Sequence, residues 1–132
     1  MNKERIVFPL GIDKKPRFNL IFKVKGELFY AKLVIKEEYE TYSGIVNSGI
    51  LATILNEVME AHLAYKNLQT RTFELQIKYW EEISSSVELA IYSKIIKINN
   101  ELHFVTMESW IENSNREKLI ICTAKMLVVD ER

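Results

Sequence analysis

Residues 42–66 read YSGIVNSGILATILNEVMEAHLAYK, and their apolar spacing predicts one long helix over 48–66. Ile50, Leu51, Ile54, Leu55, Val58, Met59, His62 and Leu63 recur every three or four residues, the period of an α-helix. Ser43-Gly44 and Asn47-Ser48-Gly49 punctuate the entry loop, and Asn47 and Ser48 are both good N-cap types. Ala52, Ala61 and Ala64 favour helix and leave room for other backbone to approach. Thr53, Asn56, Glu57 and Glu60 share a polar side. Asn56 and Glu60 are four residues apart and stack on one face, whereas Glu57 is turned by about 100° from Asn56. The run Asn67-Leu68-Gln69-Thr70 ends the helix.

Outward from this helix the chain reads as strands. Arg17–Lys25 alternates Phe18, Leu20, Phe22 and Val24 against Arg17, Asn19, Ile21 and Lys23, and Lys25-Gly26-Glu27 turns it into Leu28–Lys36. These residues, 17–36, form a first hairpin. Residues 37–41 make a charged loop into the helix. After the helix, Arg71–Trp80 alternates Phe73, Leu75, Ile77 and Tyr79 against Thr72, Glu74, Gln76 and Lys78. Val87–Ile98 ends at Asn99-Asn100, a dipeptide that tolerates the positive φ of a tight hairpin. Leu102–Glu112 and Lys118–Val129 complete a four-strand meander over 71–129. Residues 1–16, with turns at Phe8-Pro9-Leu10-Gly11 and Asp13-Lys14-Lys15-Pro16, read as an N-terminal flap or short helical turn. The class is α+β: one helix needs a curved antiparallel sheet of about six strands to bury its apolar side.

Bulk numbers narrow the function. A chain of 132 residues is the size of one domain, here 1–132. Acidic and basic residues balance at 18 each, so nothing points to nucleic acid. Cys122 is the only cysteine and sits in an apolar strand, which suits a buried thiol and a reducing cytoplasm. No apolar run reaches the ~18 residues of a membrane span. Two isolated histidines and one cysteine do not give metal-ligand spacing.

The order of strands, long helix and meander resembles the hot-dog fold. From about Phe8 to Val129 the chain is similar to the small acyl-CoA thioesterases of the phenylacetate-degradation type. That family reads Gly-hydrophobic-Val-His-Gly-Gly, then hydrophobic-Ala-Thr-hydrophobic-hydrophobic-Asp-Glu. The matching positions are Gly44-Ile45-Val46-Asn47-Ser48-Gly49 and Leu51-Ala52-Thr53-Ile54-Leu55-Asn56-Glu57. Upstream, Asn19-Leu20-Ile21-Phe22 and Glu38-Tyr39-Glu40-Thr41-Tyr42-Ser43-Gly44 fit as well, and downstream so does Arg71–Tyr79.

The resemblance implies thioester hydrolysis, with coenzyme A entering as part of the substrate and no separate cofactor. Backbone N–H groups at the helix start, here Ser48 and Gly49, would polarise the carbonyl. The departures fall on the reactive positions: Asn47 replaces the histidine, and Asn56 replaces the helix carboxylate. An amide is no useful proton acceptor near pH 7, so Asn56 can orient water but not activate it. Glu57 or Glu60 is then the candidate base, against the plainer reading of both as solvated or paired carboxylates. Thr72 takes the place of a polar residue that assists from the facing subunit, and Glu81-Glu82 stands where the family commonly has Arg-Pro. The family likeness also implies a two-fold dimer or a tetramer, joined through the edge strand Arg71–Trp80.

Two alternatives stay open. One is a hot-dog module that binds an acyl-CoA or related ligand without turning it over. The other is a structural dimer with no small-molecule pocket. His62, near the apolar edge of the helix, reads as a core or interface residue, and His103 as a surface one. The aromatics Tyr79, Trp80, Phe104 and Trp110 read as core or interface, with an acyl pocket as the rival role.

Overall fold

The helix α1 runs Ser48–Tyr65 and is capped by the Asn47 side chain. A computed structural model gives the structure of the protein and describes residues 3–7, 18 and 20–131. The strands are β1 (Arg5–Val7), β2 (Phe22–Lys25), β3 (Leu28–Val34), β4 (Glu40–Tyr42), β5 (Ile45–Val46), β6 (Leu68–Tyr79), β7 (Glu88–Asn99), β8 (Phe104–Glu112) and β9 (Lys118–Glu131). Seven of them form one sheet in the order β1-β2-β3-β7-β8-β9-β6, and β4 and β5 form a separate ribbon. Every pairing is antiparallel.

The core lies between α1 and the concave side of the sheet. Leu51, Ile54, Leu55, Val58, Met59 and Leu63 of α1 are buried against Phe29, Ala31, Ile91, Val105, Met107, Ile120, Cys122 and Met126. Each buried aliphatic side chain of this size contributes about 1.5–3 kcal/mol. The buried arc of α1 is wide because a curved sheet touches the helix on more than one flank, and the polar side is left for Ala52, Thr53, Asn56, Glu57 and Glu60.

Four expectations are corrected. Among the described residues the sheet has seven strands where about six were expected, because Arg5–Val7 pairs with β2 instead of forming a flap or helical turn. Val7 is buried there, so the added strand extends the core. Residues 1–2 and 8–16 of that flap, with Arg17 and Asn19 of the predicted strand, lie outside the described residues. Phe18, Leu20 and Ile21 are described and are not in a strand, so the strand expected from Arg17 begins at Phe22. The charged loop is partly ordered: Glu37–Tyr39 is a 3-10 turn, and Glu40–Tyr42 pairs with Ile45–Val46 around Gly44 at φ 83°. At the β7–β8 turn the positive φ falls on His103, at 59°, and not on the asparagines; Asn99 Oδ1 instead accepts from the Leu102 N–H at 3.1 Å.

The fifth correction matters most for the site. Strand β6 does not alternate cleanly. Its ladder with β9 slips between Thr72, which pairs with Met126, and Glu74, which pairs with Lys125. Phe73 is the extra residue of a β-bulge and is 61% exposed. Residues before and after the bulge are therefore out of phase. Thr72 and Leu75, which strict alternation would put on opposite faces, both face α1 and line one depression with Asn56.

Candidate functional site

Thr72, Asn56 and Glu60 form a hydrogen-bonded chain on the open side of α1. The Thr72 hydroxyl donates to Asn56 Oδ1 in a short hydrogen bond. Asn56 Nδ2 donates to Glu60 Oε1 at 2.6 Å. The helix supplies this geometry directly, because positions four apart sit one above the other. The carboxylate also settles which way the amide points, since an ionised carboxylate only accepts. Within its own chain Thr72 reaches Asn56, because the bulge at Phe73 turns it inward; the role expected of it from a facing subunit concerns a second copy.

Glu60 is half-buried, and its pKa is raised, first by burial and then by the negative charge of Glu57. Glu57 holds its Oε2 away from solvent. Both carboxylates, with Ala52, Thr53, Asn56, Thr72 and Leu75, line an open depression of about 420 Å³. A carboxylate of raised pKa beside a fixed amide can hold a water and take its proton.

The second part of the site is the mouth of α1. Asn47 Oδ1 accepts from the Gly49 N–H at 2.7 Å and, at 3.4 Å, from that of Ile50. Ile50 also reaches the Asn47 carbonyl at 3.1 Å. The N–H pair expected to be free is thus only half free. Gly49 is engaged by the cap, and the Ser48 N–H meets no acceptor among the described residues. The Tyr79 hydroxyl donates to the Ser48 carbonyl at 3.0 Å, tying the end of β6 to the first turn of α1. Beside it lies a groove of about 740 Å³ walled by Tyr42, Ile45, Leu51, Tyr79, Trp80 and Ile83, with Glu81 and Glu82 at its rim.

Sequence reasoning treated Tyr79 and Trp80 as core or interface aromatics. They are 44% and 62% exposed and line this groove. A position at the end of an alternating strand leaves core, interface and pocket lining open, and the pocket was the rival role for them. Trp110 is buried, and Phe104 packs on Phe73 with ring centroids 4.8 Å apart. Glu40 is held below the usual carboxylate range by the Ser85 hydroxyl, at 2.5 Å, and by the Gly44 backbone. These contacts steady the ribbon beside the mouth.

The two parts of the site are well separated in one chain. Gly49 and Asn56 are seven residues apart on nearly the same face, which at 1.5 Å rise per residue is roughly 10 Å.

His62 belongs to the core, as expected. It is buried, stacks on Phe29 at 4.8 Å between centroids, and brings Nδ1 to 2.9 Å from Ser93 Oγ. Burial first, and then the nearby Lys66 charge, lower its pKa to about 4. Cys122 is buried and its thiol is pushed up to about 12, which leaves it protonated and inert. No group of three His, Cys, Asp or Glu gathers among the described residues. No described helix is long and apolar enough to cross a membrane.

No protein-family model matches the chain, and no curated protein matches it in sequence. Solved structures do match in shape. A Streptococcus mutans protein crystallised with acetyl-CoA superposes with a TM-score of 0.81 at 13% identity, covering 92% of this chain and 97% of that one. A hypothetical thioesterase of Streptococcus pneumoniae, crystallised with coenzyme A, gives 0.75 at 15% identity, over 98% and 88% of the two chains. The Escherichia coli PaaI protein from the phenylacetic acid degradation operon gives 0.77 at 8% identity, over 86% and 82%. One long helix against a large antiparallel sheet, shared with these proteins over most of the length, is the hot-dog fold.

Proposed function

We propose that the protein hydrolyses an acyl-CoA-like thioester at a site completed by a second copy of the chain. The observation that carries this is the chain Thr72–Asn56–Glu60, which replaces a missing helix carboxylate at position 56 with one a turn further on. Glu60 is the base in this reading, and its raised pKa suits the role. It takes a proton from a water oriented by Asn56, and the hydroxide attacks the carbonyl carbon. The oxyanion rests on the Ser48 and Gly49 N–H groups, where donors and the helix dipole favour negative charge. Collapse expels the thiolate, which recovers the proton from Glu60.

The roughly 10 Å between Gly49 and Asn56 is too far for one thioester to touch both within a chain. A two-fold mate joined at the edge strand β6 would bring the mouth of one protomer to the carboxylate of the other. Strand β6 ends the sheet and leaves its outer side open to such pairing. A dimer, or a tetramer of two dimers, is therefore part of the proposal. The proposed setting is the cytoplasm.

A second reading has its own support. The amide of Asn56 is engaged on both sides, and the Gly49 N–H is capped. A module of that kind would bind acyl-CoA or a related ligand without turnover, and Asn56→Asp would then create hydrolysis. A turnover screen over CoA esters of graded chain length, run with thermal-shift binding, separates the two. Turnover lost in Glu60→Gln supports the enzyme; stabilisation without turnover supports the binding module. Neither signal would remove both.

A further inference from the structure

Asn47 is placed as an internal competitor for the substrate's carbonyl. Its Oδ1 is an amide oxygen, and it lies 2.7 Å from the Gly49 nitrogen, on the hydrogen that the proposed oxyanion would use. A side chain at residue 49 would disturb this contact: a Cβ there would meet Asn47 Oδ1 at 3.0 Å. The backbone of Asn47 is held independently, its N–H donating to the Tyr39 carbonyl at 2.8 Å and its carbonyl accepting from Ile50 and Leu51. Asn47 is itself exposed, so its side chain can rotate into solvent without moving that backbone.

We infer that Asn47 sets the selectivity of the mouth by ranking acceptors. This rests on the reading above, in which Ser48 and Gly49 bind the carbonyl oxygen. An amide oxygen is a better acceptor than a thioester oxygen, because sulfur donates little electron density to its carbonyl. The ground-state ester therefore fails to displace Asn47 and is held through Ser48 alone. An oxyanion makes hydrogen bonds roughly twice as strong and does displace it. The Gly49 donor is thus reserved for the charged state, and ground-state affinity is kept low. Asn47 is a specificity residue here and takes no part in proton transfer.

The test compares Asn47→Gly, Asn47→Ala and Asn47→Asp with the parent protein, in steady-state kinetics and in calorimetric titration with an acyl-CoA analogue whose sulfur is replaced by CH2. The analogue keeps the carbonyl and cannot be hydrolysed, so the titration reads the mouth whether or not any ester turns over. Removing a competing hydrogen bond is worth about three- to tenfold in affinity. The Gly and Ala variants are expected to bind the analogue tighter by that factor and to lower KM alike, with kcat within about threefold. The Ala variant should meanwhile melt earlier, having lost its cap. Asn47→Asp, a stronger acceptor, should bind the analogue more weakly. A purely structural cap would lose stability and affinity together in the Ala variant, and that result overturns the inference. Equal affinity across all four proteins overturns it too.

Discussion

Asn56 Nδ2 sits 2.6 Å from Glu60 Oε1, one helical turn away, and this contact is why the proposed mechanism takes Glu60 rather than Glu57 as its base. Glu57 is rotated away from Asn56, while Glu60 is aligned with it and oriented through Thr72. Glu60→Gln is expected to lower kcat by about 10²–10⁴-fold, the usual contribution of a general base, with little change in KM. Glu57→Gln should keep most of the rate. Full turnover in Glu60→Gln would remove that residue from the role.

The rate should carry an acidic limb. A base works deprotonated, and Glu60 gives up its proton above the ordinary glutamate value of 4.5, because burial and then Glu57 disfavour its charge. Activity is lost as pH falls through that raised value. Replacing Glu57 by Gln removes the repulsion and should move the limb to lower pH. A pH profile of kcat/KM on both proteins checks this; a limb that stays in place would uncouple Glu57 from the base.

Thr72→Val removes the hydroxyl that holds Asn56 Oδ1 and nearly preserves shape. Loss of an oriented hydrogen bond in a partly buried site costs about 1 kcal/mol, so kcat should fall roughly fivefold or more. Thr72→Ser keeps the hydroxyl and should recover most of the rate. If Ser and Val behave alike, the hydroxyl is not what positions Asn56.

His62 predicts a stability trend. Its folded pKa of about 4 lies below the ordinary imidazole value of 6.5, so the unfolded chain takes up its proton first as pH falls. Stability is full above about pH 6.5, declines from there to about pH 4, and then levels for this group, a total of about 3–4 kcal/mol at 1.4 kcal/mol per unit. The double variant His62→Leu with Ser93→Ala removes both ends of the contact and should flatten the decline. Urea melts at pH 7.5, 5.5 and 4 would show it.

The assembly prediction concerns β6. Sedimentation of the purified chain should give a dimer or tetramer, and Phe73→Asp, at an exposed bulge on the edge strand, should shift it towards monomer without unfolding it. A parent protein that is monomeric at micromolar concentration would leave the two-copy site without its second half.

Much of this was legible in the chain. The 3.6-residue period of α1 and the alternation of β3 and β8 follow from burying one side of each element, so pattern alone placed them, while β2 kept only the end of its expected span. The Asn56–Glu60 contact was legible too, because it is local to the helix. What alternation could not show was the bulge at Phe73, since one extra residue in a ladder leaves no mark in composition. It also hid the seventh strand, Arg5–Val7, too short to show a period, and the caps at the mouth. Asn47 was readable as a capping type, but the cost to the Gly49 donor appears only when the amide oxygen and the N–H are measured together.

The slip at Phe73 also divides β6 into two reading frames. A chimera that takes the first part of this strand from one hot-dog protein and the second from another must carry the slip at the same place. Deleting residue 73 would remove this slip and leave Thr72 and Leu75 two positions apart on the same face, whereas a slip moved beyond residue 75 would put them on opposite faces. Crossover points for recombining this protein with its structural relatives therefore belong outside residues 72–74.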